Sequence, residues 1–243
     1  MRTDGRSFNQ LRPIRITPHV SDYAEGSAIV EFGKTKVLCT ASYEPMAPKW
    51  LQGTGTGWIT AEYGMLPRST HQRIKRDKAL TGGRTQEISR LIGRSLRAAV
   101  DPKLLGERQI TIDCDVLHAD GGTRTAAITG GFVALALALK KLQDVSEIKK
   151  LPLIHYVSAI SVGLEKGQAV MDLNYDEDSM IGTDMNFVMT DKNEFIEVQG
   201  TAEHVPFSKS QLMDLLEVAQ KGCQELFHHQ AQIVGSFFPL KSE

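Results

Sequence analysis

Residues 125–142, TAAITGGFVALALALKKL, are small and apolar almost throughout, with no polar stripe recurring at helical spacing. A helix that is apolar nearly all round has no face to give to water, so this one is predicted to be central in the fold. Its longest apolar window, around Phe132–Leu139, is far too short to cross a bilayer, and no membrane partner is expected. The rest of the chain must supply what covers the helix.

Strand and turn patterns on either side provide it. SAIVEFGKTKVLCTASYE (27–44) alternates as two strands turning at Gly33-Lys34, and RQITIDCDVLHA (108–119) reads as another strand. EISRLIGRSLRAAV (87–100) places Ile88, Leu91, Ile92, Leu96 and Ala99 on one helix face, ended by Asp101-Pro102. Hairpins are predicted over 157–175, turning at Glu165–Gln168, and over 185–201, turning at Asp191–Asn193. A last helix follows Phe207, where Ser208 and Gln211 have capping-box spacing and Leu212, Leu215, Leu216, Ala219 and Cys223 form the apolar face. No linker or low-complexity segment interrupts 1–243, so the chain reads as a single α+β domain.

Cys39 and Cys114 fall inside apolar strand runs and read as reduced core residues. No apolar run follows the first charges, so no secretory signal is expected, and the chain reads as cytoplasmic. The net charge of −1 hides an asymmetry: residues 1–100 hold 16 Lys and Arg against 8 Asp and Glu, whereas 101–243 hold 12 against 21. Such a split is compatible with a basic binding face beside an acidic site, or simply with solvated faces of unequal sign.

Two glycine-rich stretches are decoys. Gly33-Lys34-Thr35 lacks the upstream glycine of a phosphate loop and runs into a strand. Gly53-Thr54-Gly55-Thr56-Gly57 has Trp58 where a dinucleotide fingerprint continues differently, and reads as a mobile loop edging a site. Two other junctions share a more informative design. In TGGRTQEISR (81–90) and in GGTRTAAITGG (121–131), glycines precede an arginine and a threonine where a helix starts. A helix mouth offers unpaired N–H groups and the positive end of its dipole, and arginine can grip one oxyanion with two parallel bonds. If the junctions converged, Arg84, Gly122, Thr123 and Arg124 would seat one phosphate; the alternative is two unrelated surface arginines.

MDLNYDEDSMIGTDMNFVM (171–189) concentrates Asp172, Asp176, Glu177, Asp178 and Asp184 between strand-like runs. Asp176 and Glu177 read best as loop caps. Asp178 and Asp184, the latter just before a strand at Met185, are the better candidates for Mg²⁺, which takes a few carboxylates and keeps its waters. Crowded carboxylates also raise one another's pKa, so a general-acid role for Asp184 stays open. RSTHQRIKRDK (68–78), with Arg68, Arg73 and Arg76, is a cationic run of the kind nucleic acids attract.

Long ordered motifs bring these pieces together: RTDGRSFNQLRPIRI near the start, GWITAEYGMLPR (57–68), GGRTQEISRLIGRSLRA (82–98), DCDVLHADGGTRTAAITGGF (113–132) and DLNYDEDSMIGTDMNFVMT (172–190). Over nearly its whole length the chain resembles the ribonuclease PH family of phosphate-dependent 3′ exoribonucleases. The resemblance implies two βαβα-like halves whose mixed sheets sandwich central helices, and a homohexameric ring built as a trimer of dimers. It implies trimming of transfer RNA 3′ ends and other RNA, with orthophosphate as co-substrate, nucleoside diphosphates as products and nucleotidyl addition in reverse. Arg84, Gly122, Thr123 and Arg124 then correspond to phosphate binders, Asp178 and Asp184 to the metal-linked acidic pair, and Arg68, Arg73 and Arg76 to RNA contacts. A related ring protein without catalysis, or a nuclease using water, would be the rivals.

Overall fold

The computed structural model describes residues 2, 4–76, 82–203 and 205–240. Two sheets enclose the predicted central helix. The first sheet is built from β1 (Ile14–Pro18), β2 (Gly26–Phe32), β3 (Thr35–Glu44), β5 (Gln109–His118) and β4 (Trp58–Met65), in the order β1-β2-β3-β5-β4. Only the β4–β5 pair is parallel; the others are antiparallel. The second, wholly antiparallel, runs β7 (Gln168–Met171), β6 (Val157–Glu165), β8 (Thr183–Thr190) and β9 (Phe195–Ala202).

Among the described residues the helices are α1 (Gly83–Arg97), α2 (Pro102–Leu105), α3 (Thr123–Asp144), α4 (Tyr175–Met180) and α5 (Lys209–Val234). α3 is the apolar helix. It packs on β2 and β3 of one sheet and on β6 of the other, and Ile128, Phe132 and Leu135 are fully buried along it. Each such side chain removed from water contributes about 1.5–3 kcal/mol. Its Gly130 lets the helix axis come close to the first sheet, because an added Cβ would stand 2.6 Å from Cγ1 of Val30. By length and composition α3 could cross a bilayer, being longer than its central apolar window suggested. Instead, 83% of its most apolar 18-residue window is buried inside the protein.

The strand patterns follow from this layering. β5 alternates, with Ile110, Ile112, Cys114 and Val116 turned inward, because only one of its faces is covered by helix. β6 is buried without alternation from Val157 to Gly163, because α3 lies on one face and α5 on the other. Cys39 and Cys114 are opposite one another on β3 and β5, buried and unbridged. α1 covers the open edge of the first sheet. The β4 edge groups are satisfied from the helix: Tyr63 N–H donates to Ser89 Oγ at 3.0 Å, and Arg97 donates to the Ile59 carbonyl at 2.9 Å.

Both predicted hairpins of the second half form, turning at Lys166-Gly167 and at 191–194. The first is shorter than its alternation suggested. β7 stops at Met171 because Asp172 takes a left-handed conformation (φ 53°) and the chain turns into α4. The 53–57 loop lies away from the arginine-bearing junctions: Gly55 N–H bonds to Glu107, and Thr56 and Gly57 edge a small apolar cavity of about 190 Å³ beside Trp58 and Leu105.

Candidate functional site

The site is assembled at the starts of three helices. The N-cap of α1 is Gly82 and that of α3 is Gly122, and neither supplies a side-chain hydrogen bond to the first turn. Gly122 is itself left-handed (φ 64°, ψ 28°), which aims the chain directly into the helix.

Tyr63 joins the two mouths. Its backbone is held to α1 through Ser89, whose hydroxyl in turn donates to the Thr85 carbonyl at 2.9 Å. Its hydroxyl shares a 2.8 Å hydrogen bond with Thr123 Oγ1 in the first turn of α3. Burial pushes the Tyr63 phenol up; the Thr123 bond and the charges of Arg84 and Arg124 oppose that. Both guanidiniums therefore act on one buried hydroxyl, although 40 residues separate them in sequence.

The third helix start belongs to α4. Gly121 (φ +76°) lies against its backbone: a Cβ there would be 2.6 Å from the Leu173 carbonyl oxygen and 2.9 Å from the Tyr175 nitrogen. Only glycine permits that approach. The turn is clamped from the other side by Thr35, which donates to the Gly121 carbonyl at 2.6 Å and accepts from Asp120 N–H at 3.0 Å.

Buried arginines from the N-terminal segment lock α4 in place. Arg12 pairs with Asp172 through two side-chain bonds (3.0 and 2.7 Å) and also donates to the Asp120 carbonyl at 2.5 Å. Arg2 donates twice to Glu177 at 2.7 Å and to the carbonyls of Met171 and Asp172. Asp172, counted above with the acidic cluster, is thus a buried structural anion. Glu177 completes a capping box with Asn174, as its reading as a cap anticipated.

Asp178 lies within reach of the arginine charges and of Asp184. Desolvation raises the Asp178 carboxyl first and the Asp184 charge raises it further, while Arg124, Arg84 and Arg12 pull it down. Asp184 is fixed within β8, opposite Gly163 on one side and Thr201 on the other, one residue after the strand starts rather than before it. Arg124 is steadied by β9, donating to Gln199 Oε1 at 3.3 Å. Three guanidiniums, two uncapped helix mouths and two mutually repelling carboxylates thus act on one small region. The arrangement can hold an oxyanion beside a like-charged pair that a cation would relieve. Among the described residues no cluster of three or more carboxylates, imidazoles or thiols gathers, so an ion here would have two protein carboxylates and complete its shell with water or substrate oxygens.

Arg68, Arg73 and Arg76 are exposed, without an ion-pair partner among the described residues. The start of their segment is tied to the site: Leu66 N–H bonds to the Val116 carbonyl, and the Ser69 carbonyl accepts from Ala119 N–H at 2.8 Å. Residues 77–81, which include the end of the basic run and Thr81, lie outside the described residues.

Sequence reasoning left Tyr63 and the arginines Arg2, Arg6 and Arg12 without individual roles. Tyr63 carried a signal, being the inward tyrosine of the alternating run WITAEY, whose hydroxyl must find a partner when buried. Asn174 and Glu177 also had capping-box spacing.

Residues 10–141 match the profile described as 3′ exoribonuclease family, domain 1, and residues 155–222 match that family's domain 2. A protein named ribonuclease PH from Bdellovibrio bacteriovorus is 76% identical over 240 residues, covering 99% of each chain. Among solved structures, rice Rrp46 superposes with a TM-score of 0.78 at 22% identity, covering 96% of this chain and 100% of its own. An Archaeoglobus fulgidus exosome with RNA bound to the active site gives 0.76 at 21% identity, covering 93% and 91%. At such identities the structural matches speak for the fold.

Proposed function

The chain belongs to the 3′ exoribonuclease family, of ribonuclease PH type, and from that premise we propose how its site residues divide the work. The enzyme is a phosphate-dependent 3′ exoribonuclease that acts on transfer RNA. Orthophosphate is its co-substrate.

In the proposed mechanism Arg84 and Arg124 grip orthophosphate between the open mouths of α1 and α3, with Thr123 and the N–H groups following Gly122 completing the seat. An oxygen of HPO₄²⁻ bonds to the phosphorus of the last nucleotide, and the bond from that phosphorus to the preceding O3′ breaks. The hydrogen ends on the new 3′-hydroxyl, and a nucleoside diphosphate leaves. The nucleophile is already an anion, so the enzyme's main task is to hold two negative groups in line. The guanidiniums and helix mouths do this in place of water. The bonds exchanged are similar in energy, so nucleotidyl addition runs in reverse when phosphate is scarce.

Asp178 and Asp184 fit Mg²⁺ because they are two hard oxygen donors whose like charges oppose one another, the Asp184 charge raising the Asp178 carboxyl, and they would hold the ion through carboxylate oxygens. When bound, such an ion neutralises charge developing on phosphate oxygens. Arg68, Arg73 and Arg76 bind the RNA backbone electrostatically. The chain acts as a single domain in a homohexameric ring, a trimer of dimers, in the cytoplasm, where its buried thiols stay reduced.

The observation that supports this best is the meeting of two uncapped, arginine-bearing helix mouths at Tyr63, beside Asp178. Labelled RNA incubated with and without orthophosphate tests it. Shortening that needs phosphate and yields nucleoside diphosphates is expected; monophosphates formed without phosphate would overturn it.

A further inference from the structure

An exposed aromatic pair stands next to this site without a part in the roles above. Tyr175, the first residue of α4, is 50% exposed, and its ring lies 6.0 Å from that of His71, tilted by 56°. His71 is itself exposed and comes from the basic segment, whose backbone is tied to Ala119 beside the 120–122 turn. The Tyr175 backbone is pinned: its nitrogen sits where Gly121 allows contact, and its N–H reaches Asp120 Oδ1 at 3.4 Å.

Position along α4 ties the pair to the reaction. Tyr175 and Asp178 are three residues apart, hence neighbours on one face of the helix, about 5–6 Å between Cβ atoms. Asp178 is the group on which Arg84 and Arg124 act. An exposed tyrosine in an apolar cluster would be ordinary; an exposed tyrosine on a rigid helix, paired with an imidazole and one step from an oxyanion seat, is a flat surface open to a ring.

We propose that Tyr175 and His71 form a stacking seat for the base of the 3′-terminal nucleotide, and of the nucleoside diphosphate it becomes. The proposal rests on the phosphorolytic reading. An enzyme that removes nucleotides one after another must accept each base in turn, which excludes reading base edges. Stacking meets that requirement, since every base has a π-face. The charged part of the nucleotide goes to the arginines and its base lies across the aromatic pair.

Calorimetric titration of the full-length enzyme with ADP and with ribose 5-diphosphate, which lacks the base, tests it. The Tyr175→Ala variant is expected to lose roughly 5- to 100-fold in affinity for ADP while its affinity for ribose 5-diphosphate is unchanged. Tyr175→Phe should retain most of the ADP affinity, and His71→Ala should lose less than Tyr175→Ala. Equal weakening for both ligands, or no weakening for either, would overturn the seat. The phosphate requirement of the unmodified enzyme on RNA is measured alongside: if it holds and the ADP result fails, only the stacking seat falls.

Discussion

Helices α1 and α3 start in one way, α4 and α5 in another. At α4 and α5 a capping box closes the first turn: Asn174 accepts from Glu177 N–H while Glu177 reaches back, and Ser208 and Gln211 do the same. At α1 and α3 a glycine stands in the capping position and closes nothing. A side-chain cap contributes about 0.5–2 kcal/mol, so an open start forgoes that stability. What it keeps is a set of N–H groups and a positive dipole end free for an external anion. Closed starts hold the scaffold and open ones face the substrate. The two kinds meet at Gly121, where the α3 mouth touches the capped start of α4.

Removing the arginines from the open mouths breaks the contrast most severely. Arg84→Ala or Arg124→Ala is expected to raise the KM for orthophosphate and lower kcat, with kcat/KM for phosphate falling about 10²–10³-fold. RNA binding, measured by filter retention in the absence of phosphate, should survive. Arg84 is exposed and Arg124 only partly buried, so neither loss should unfold the protein. If RNA and phosphate binding fell together, the open mouths would not be a phosphate seat.

The open starts were legible in the sequence because glycines followed by Arg-Thr or Thr-Arg ahead of an apolar period are local signals. So was Ser208, whose partner is three residues away. Convergence was not legible. It depends on the register of α1 along β4, set by Ser89 against Tyr63, and on one hydroxyl contact between Tyr63 and Thr123 across 60 residues. The role of Asp172 was not legible either: the sequence shows only one of five neighbouring acids, while its partners Arg12 and Arg6 lie 160 and 166 residues away. The central helix was readable from composition alone, whereas the strands that cover it had to be found by turn chemistry. That is why the strand-like alternation runs past the end of β7, which a left-handed aspartate decides.

The closed start of α4 can be opened by charge. Burial alone would raise the Glu177 carboxyl, but hydrogen bonds from Arg2 and from Asn174 N–H, with the charges of Arg2 and Arg6, outweigh it and hold the carboxyl below its ordinary value of 4.5. A depressed carboxylate stabilises the fold above its unfolded-state pKa and loses that contribution as pH falls toward the folded-state value. Glu177→Gln can still close the capping box, but it leaves the buried Arg2 without its ionic partner. It is expected to cost about 2–3 kcal/mol at neutral pH, seen by urea unfolding. The difference from the unmodified protein should shrink below about pH 4.5. A cost that did not change with pH would mean that the charge of Glu177 is not what secures α4.

Ser208→Ala sharpens the comparison at the smallest scale. Ser208 Oγ accepts from Gln211 N–H at 3.3 Å and shares a 2.9 Å bond with Ser210 Oγ, and Gln211 Oε1 accepts from Ser208 N–H at 2.8 Å, so truncation removes the first two and slackens the third. The expected loss is about 1 kcal/mol, or roughly 2–4 °C in Tm by calorimetry. α5 packs on β6 and β7 and takes no part in the anion seat, so the KM for orthophosphate should stay where it was. A closed start that moved phosphate kinetics as much as an open one would erase the distinction between the two kinds of helix mouth. A change confined to Tm would show that this protein uses the same local structure in two ways, according to whether the first turn is satisfied from within or left for a ligand.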